Sequence, residues 1–117
     1  MDITSKPIYL VRSHPKIKNE DLPQLPKELR EDFEDIKILL SVDPYSCKGL
    51  INSHKLERNL EGYRALELEY CDEAYRLVYR VYELPVDNKK VDIISFAIHD
   101  PAYDRAKERV GLQSHRR

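Results

Sequence analysis

Two arginines, Arg76 and Arg80, are the residues of this sequence best suited to chemistry, and they lie in the run 75–82, YRLVYRVY. A guanidinium presents a planar set of N–H donors that matches the oxygens of a phosphate group. Because the side chains of a strand alternate between its faces, both arginines are expected on one face, beside aromatic rings. This spacing predicts a rigid cationic platform for phosphate. The alternative is structural, with each arginine paired to Glu67 or Glu69 on a neighbouring strand.

The same run predicts the element that carries these arginines, a central strand over residues 74–84. At a period of two residues, one face of this strand carries Tyr75, Leu77, Tyr79 and Val81. The other face carries Arg76, Val78, Arg80 and Tyr82. A buried face has no need of arginine, so we expect the first face to be core and the second to be a solvent-filled concavity.

Around this strand the sequence predicts one domain over residues 1–117, of the α+β class. The predicted elements are an edge strand at 8–11, a helix at 26–42, strands at 63–70 and 91–98, and a short helix from 102 to 110. Helices followed by consecutive strands favour a small antiparallel or mixed sheet of about four strands, with the N-terminal helices packed on one face. The opposite face is expected to be free.

The composition of the chain limits which partners, metals and cellular compartment are expected for this domain. The chain has 117 residues, is 35% charged and has a formal net charge of -1, so nucleic-acid binding would require a local patch of cations. Its two cysteines, Cys47 and Cys71, match no metal-binding spacing. No secretory leader is evident at the N-terminus, and a reducing cytoplasm is the expected compartment.

Three stretches form a recognisable series: Leu60-Glu61-Gly62-Tyr63-Arg64, then 74–81, then Ile93-Ile94-Ser95 followed by His99 and Tyr103. In order and wording they resemble the RelE/ParE superfamily of toxins from bacterial and archaeal toxin-antitoxin pairs. The resemblance covers most of the chain from about residue 8, and its most specific part is the Tyr-Arg-Leu-Val-Tyr strand. It implies a small cytoplasmic toxin that a partner antitoxin neutralises. In the RelE branch it implies an endoribonuclease that cuts messenger RNA on the ribosome and uses no metal or other cofactor.

The resemblance also implies roles for particular residues. Arg76 matches the family's strand arginine and would clamp the scissile phosphate, while His99 could exchange protons near neutral pH. Tyr103 could stack on a base or donate a hydrogen bond, although it also fits an apolar helical stripe. His99 could instead cap a turn. Arg64 lies where members often carry a basic residue, but strict alternation places it with Leu66, so it needs a bulge to reach the free face.

Further cations could contact the RNA. Arg80 continues the strand platform, and Lys55 and Arg58 lie in a basic connector, where a solvated pair is the alternative. The chain departs from ribosome-dependent members in carrying Glu67 and Glu69 where those members carry Lys or Arg, and carboxylates repel a phosphate. Two other functions therefore stay open, a ParE-like toxin that inhibits DNA gyrase and an inactive member that only binds proteins.

Overall fold

The computed structural model describes residues 6–111, which form a mixed sheet of five strands. The strands are β1 (Leu10–Ser13), β2 (Asn52–Lys55), β3 (Arg64–Tyr70), β4 (Glu73–Tyr82) and β5 (Lys90–Ile98). Their order is β1-β5-β4-β3-β2, with β1 parallel to β5 and the other neighbours antiparallel. The α-helices are α1 (Lys27–Val42) and α2 (His99–Arg109). The α+β class is confirmed, with one strand more than expected.

Strand β4 is the middle of the sheet, as its alternation predicts. Leu77 and Tyr79 are fully buried and Val81 is partly buried. Helix α1 covers this face with residues that recur at helical spacing, Leu29, Phe33, Ile36 and Leu40. We call this side of the sheet the α1 face. Within residues 6–111, neither helix has the length and apolarity that crossing a bilayer requires.

Helix α2 packs on the other side of the sheet, the α2 face, so the expectation that this face is free was wrong. Val78 and Ala97 are buried there, and α2 lays Ala102 and Ala106 over them. The physical reason is that the centre of this face is apolar, and alanines let a helix approach a sheet closely. Two arginines of β4 on this face, Arg76 and Arg80, remain partly exposed, one on each side of the centre that α2 covers.

Strand β2 was not expected, because residues 45–60 read as a loop and connector. Its sequence, Asn-Ser-His-Lys, has no apolar alternation, and it becomes a strand by pairing with β3 from Asn52↔Glu67 to Lys55↔Arg64. Backbone pairing, rather than side-chain burial, therefore defines this edge of the sheet. The pairing brings His54 onto the same sheet as the β4 arginines.

A buried carboxylate, Asp21, fastens helix α2 to the N-terminal part of the chain. Asp21 is 0% exposed, and its Oδ2 accepts a hydrogen bond of 2.8 Å from the Phe96 backbone N–H. Arg105 and Arg109 of α2 donate to the same carboxylate at 3.0 and 2.7 Å. Residues 103 and 105 point in roughly opposite directions on a helix with about 3.6 residues per turn. Anchoring Arg105 therefore directs Tyr103 towards the other side of α2.

Tyr79→Phe should lower the free energy of unfolding by about 1–3 kcal/mol, because it leaves a buried acceptor without its donor. The Tyr79 hydroxyl lies 2.5 Å from Ser53 Oγ and 2.5 Å from the carbonyl oxygen of Pro44. Urea unfolding followed by circular dichroism measures the change. Tyr82→Phe is the control, since the Tyr82 hydroxyl has no hydrogen bond among the described residues. Equal stability of the two variants would contradict this role of Tyr79.

Candidate functional site

In the described part of the chain, Arg76 is a cation without a counter-ion. Its Nη1 donates a hydrogen bond of 2.8 Å to the carbonyl oxygen of Tyr75, while its Nε is buried and has no hydrogen-bond partner in the described part of the chain. Within residues 6–111 no carboxylate forms an ion pair with Arg76. The terminal nitrogens of a guanidinium are its outermost donors, and the side chain of Arg76 is partly exposed. Arg76 is therefore placed to receive an anion.

The carboxylate that would have neutralised Arg76 is occupied elsewhere. Glu67 lies directly opposite Arg76 in the register of β3 and β4, but its Oε2 lies 2.8 Å from Nδ1 of His54. The contact is electrostatic rather than an aligned hydrogen bond, since Nδ1 is buried without a hydrogen-bond partner. The structural alternative for Arg76, an ion pair with Glu67 or Glu69, is therefore wrong. The pairing of Glu67 with His54 leaves the guanidinium of Arg76 uncompensated.

Helix α2 brings two further groups to this place. The rings of His99 and Tyr103 meet edge to face, with centroids 4.9 Å apart and an interplanar angle of 88°. Burial raises the pKa of the Tyr103 phenol, and the nearby guanidinium of Arg76 opposes that rise. The phenol therefore stays protonated at neutral pH and can donate a hydrogen bond. His99 is half-exposed, and its Nδ1 lies 2.8 Å from Oδ1 of Asp100.

These side chains make up what we call the Arg76 site: His54, Glu67, Arg76, His99 and Tyr103. Sequence reasoning named Arg76, His99 and Tyr103, and the fold gathers them. It missed His54, because that residue lies in a polar stretch without a strand pattern. The register of β2 against β3 supplies the missing information, since it brings His54 beside Glu67. The site combines a cation with groups that can exchange protons.

Arg64 does not join the Arg76 site. The register of β3 and β4 is regular from Arg64↔Tyr79 onward, so no bulge turns Arg64 to the α2 face. Its Nε donates to Ser53 Oγ at 3.1 Å, and its guanidinium lies 5.2 Å from the centroid of the Tyr45 ring. The expectation that Arg64 reaches the face of Arg76 was therefore wrong. The strict alternation of β3 keeps it on the α1 face.

Arg80 lies on the α2 face but apart from Arg76. Its guanidinium lies over the rings of Tyr63 and Tyr82, at 5.2 and 5.1 Å from their centroids. The acid opposite Arg80 in the sheet is Asp92, which instead binds Arg12 at 2.9 Å. Arg80 is thus a stacked cation without a carboxylate partner among the described residues. This arrangement is compatible with the stacking of a nucleic-acid base.

Lys55 and Arg58 lie outside the Arg76 site. Lys55 is opposite Arg64 on the α1 face, and the two line a depression of about 700 Å³ with Arg58. Arg58 also lines a groove of about 410 Å³ beside Tyr103 of the Arg76 site. The larger depression carries cations but no histidine. The groove that touches the Arg76 site is therefore the smaller of the two.

Within residues 6–111 no group of three or more His, Cys, Asp or Glu side chains is arranged to hold a metal ion. Comparisons with protein families, with curated proteins and with solved structures found no match. The chemistry that the Arg76 site can perform therefore follows from its own residues.

Proposed function

We propose that this protein is a metal-independent endoribonuclease that cuts messenger RNA by attack of a ribose 2′-hydroxyl on the adjacent phosphate. The observation that supports this most directly is the guanidinium of Arg76, which is partly exposed and forms no ion pair within residues 6–111. Charge that develops on the phosphate oxygens needs such a preorganised donor. The histidines beside Arg76 can move the protons that the reaction requires.

Each group of the Arg76 site has a step in this reaction. His54 takes the proton of the 2′-hydroxyl, and the 2′-oxygen bonds to phosphorus as the bond from phosphorus to the 5′-oxygen breaks. His99 gives a proton to the leaving 5′-oxygen, and Arg76 holds the phosphate oxygens throughout. Tyr103 stacks on a base or donates a hydrogen bond. The products are a 2′,3′-cyclic phosphate and a 5′-hydroxyl.

Glu67 takes part in this reaction indirectly, through its contact with His54. A proton on Nδ1, facing the carboxylate at 2.8 Å, leaves the lone pair of Nε2 available as the base. The negative charge of Glu67 faces the ring nitrogen of His54 that carries this proton. This is the role that a carboxylate has beside a catalytic histidine in other enzymes.

The resemblance to the RelE/ParE superfamily also suggests the role of this nuclease in the cell. The protein is then the toxin of a toxin-antitoxin pair, it acts in the cytoplasm, and a cognate antitoxin blocks it. Its substrate would be messenger RNA on the ribosome, where translation inhibition follows from cleavage.

The direct test uses the full chain, chelator and an RNA oligonucleotide labelled at its 5′ end. We expect cleavage products with a 2′,3′-cyclic phosphate, and none when the ribose before the cleaved bond is 2′-deoxy. Addition of translating ribosomes tests whether cleavage depends on them, and primer extension on a message after induction reports cleavage in cells. Growth arrest without new cleavage sites would contradict the nuclease and favour inhibition of gyrase. Absence of any arrest would favour an inactive, protein-binding member.

Glu67→Gln should slow single-turnover cleavage by about tenfold to a hundredfold, the usual loss when a carboxylate that orients a functional histidine is removed. The amide keeps the shape but loses the charge that faces His54. Glu69→Gln is the matched control, because Glu69 lies on the same strand and face, is exposed, and has no ion pair in the described residues. The pH-rate profile should change for Glu67→Gln and not for the control. Identical profiles in both variants would exclude Glu67 as a positioning residue.

A further inference from the structure

A groove on the α2 side of the molecule continues from the Arg76 site, and we propose that it binds the RNA strand that flanks the scissile phosphate. This α2 groove, of about 410 Å³, lies between helix α2 and residues 56–60, and Tyr103, Lys107 and Arg58 line it. Its volume is within the usual range for ligand sites, about 300–1,000 Å³. The inference rests on the proposed function, since it extends the substrate beyond the cleaved bond.

The two cations that line the α2 groove, Arg58 and Lys107, have no counter-ions among the residues that the structure describes. Within residues 6–111 neither Arg58 nor Lys107 forms an ion pair, whereas Arg105 on the other side of the same helix binds Asp21 at 3.0 Å. Glu57 is the acidic residue among those that line the groove. Two unpaired cations facing one carboxylate leave a locally positive surface on a chain whose formal net charge is -1. This is the local patch that nucleic-acid binding requires.

Tyr103 joins the α2 groove to the Arg76 site. Its ring contacts His99 edge to face in the site and also lines the groove. A base stacked on this ring would have its phosphates within reach of Arg76 on one side and of Lys107 on the other. An aromatic wall between two groups of cations suits a single strand with exposed bases better than an acidic peptide, which has no rings to stack.

The backbone of Arg58 offers a way to separate binding from folding. Arg58 has a φ of 60°, a left-handed conformation that costs a residue with a Cβ about 1–2 kcal/mol. Arg58→Gly removes the guanidinium and this strain together, so the variant should be at least as stable as the parent. Lys48→Gly is the matched control, because Lys48 has a φ of 55° and is exposed outside the groove.

The experiment measures binding of a fluorescein-labelled, single-stranded oligonucleotide with 2′-O-methyl riboses, which the 2′-hydroxyl mechanism cannot cleave. Fluorescence anisotropy at several salt concentrations gives the affinity and its salt dependence. For Arg58→Gly and for Lys107→Ala we expect the slope of log K against log salt to fall by about 0.7 per lost phosphate contact. For proteins that bind equally at 1 M salt, this difference in slope makes the variant's binding about fivefold weaker than the parent's at 0.1 M salt. Lys48→Gly should bind as the parent does.

Two results would overturn the assignment: both groove variants binding like Lys48→Gly, or a parent that binds polyglutamate but not the oligonucleotide. The second result would identify an acidic peptide as the ligand. A parent that binds through the groove but cleaves no RNA would instead refute the proposed reaction and leave the binding site standing. If the parent cleaves RNA but the two groove variants bind the oligonucleotide as tightly as the parent does, the role of the groove is refuted and the proposed reaction is not.

Discussion

Arg76→Ala should reduce RNA cleavage by about a hundredfold to a thousandfold, the usual loss when one preorganised donor to a developing charge is removed. Growth arrest on expression should disappear with it. Stability should change by less than about 1 kcal/mol, because the side chain is only partly buried and forms no ion pair in the described range. Single-turnover cleavage, growth assays and thermal melts of the same preparations measure the three effects.

The variant Arg76→Lys distinguishes the contribution of the positive charge to cleavage from that of the planar guanidinium. The ammonium keeps the charge but loses the planar fork of donors, so we expect partial recovery of cleavage. Arg30→Ala is the control, because Arg30 lies on helix α1 and, like Arg76, donates a hydrogen bond to a backbone carbonyl, that of Leu25, at 2.6 Å. It should cut RNA at the parental rate. An Arg76→Ala variant with parental cleavage would refute the phosphate clamp.

Asp21→Ala should lower the free energy of unfolding by about 3–5 kcal/mol, the range expected when one partner of a buried ion pair is removed. The substitution leaves Arg109, whose side chain is only 2% exposed, without the carboxylate that it contacts at 2.7 Å. It also removes the acceptor of the Phe96 backbone N–H. Urea unfolding gives the change in free energy, and Asp21→Asn, which keeps an acceptor oxygen, should lose less than Asp21→Ala.

Glu20→Ala is the control for Asp21. Glu20 also contacts Arg109, at 3.4 Å, but its side chain is 50% exposed, so the pair is screened and contributes at most about 1 kcal/mol. If Glu20→Ala and Asp21→Ala lowered the free energy of unfolding by similar amounts, Asp21 would not be the main anchor of Arg109. Loosening α2 should also displace Tyr103, so we expect Asp21→Asn to cleave RNA more slowly even at temperatures where it remains folded.

The sequence alone was sufficient to predict the strands and helices that have a regular local pattern of apolar residues. Alternation along β4 identified the middle strand and the burial of Leu77 and Tyr79, and helical spacing identified α1 to its last residue, Val42. These predictions held because side-chain direction in a regular element depends only on the position along it. Alternation also placed Arg76 on the correct face of β4, for the same reason.

The tertiary structure decided which residues meet. The sequence carries no sign that Glu67 contacts His54 instead of Arg76, because the register of an edge strand without apolar alternation depends on the strand beside it. Nor does it tell which side of the sheet α2 covers. Ala102 and Ala106 form a stripe that could pack on either face, and the apolar centre around Val78 settles the choice.

Asp21 is the clearest case of a residue that only the fold explains. In the sequence it is one acid among many, yet it is fully buried between Phe96 and two arginines of α2. Burying a charge is favourable only where opposite charges and donors converge on it, and here those partners lie 75 to 88 residues away along the chain. Convergence over such distances is a property of the packed chain, which is why local patterns cannot reveal it.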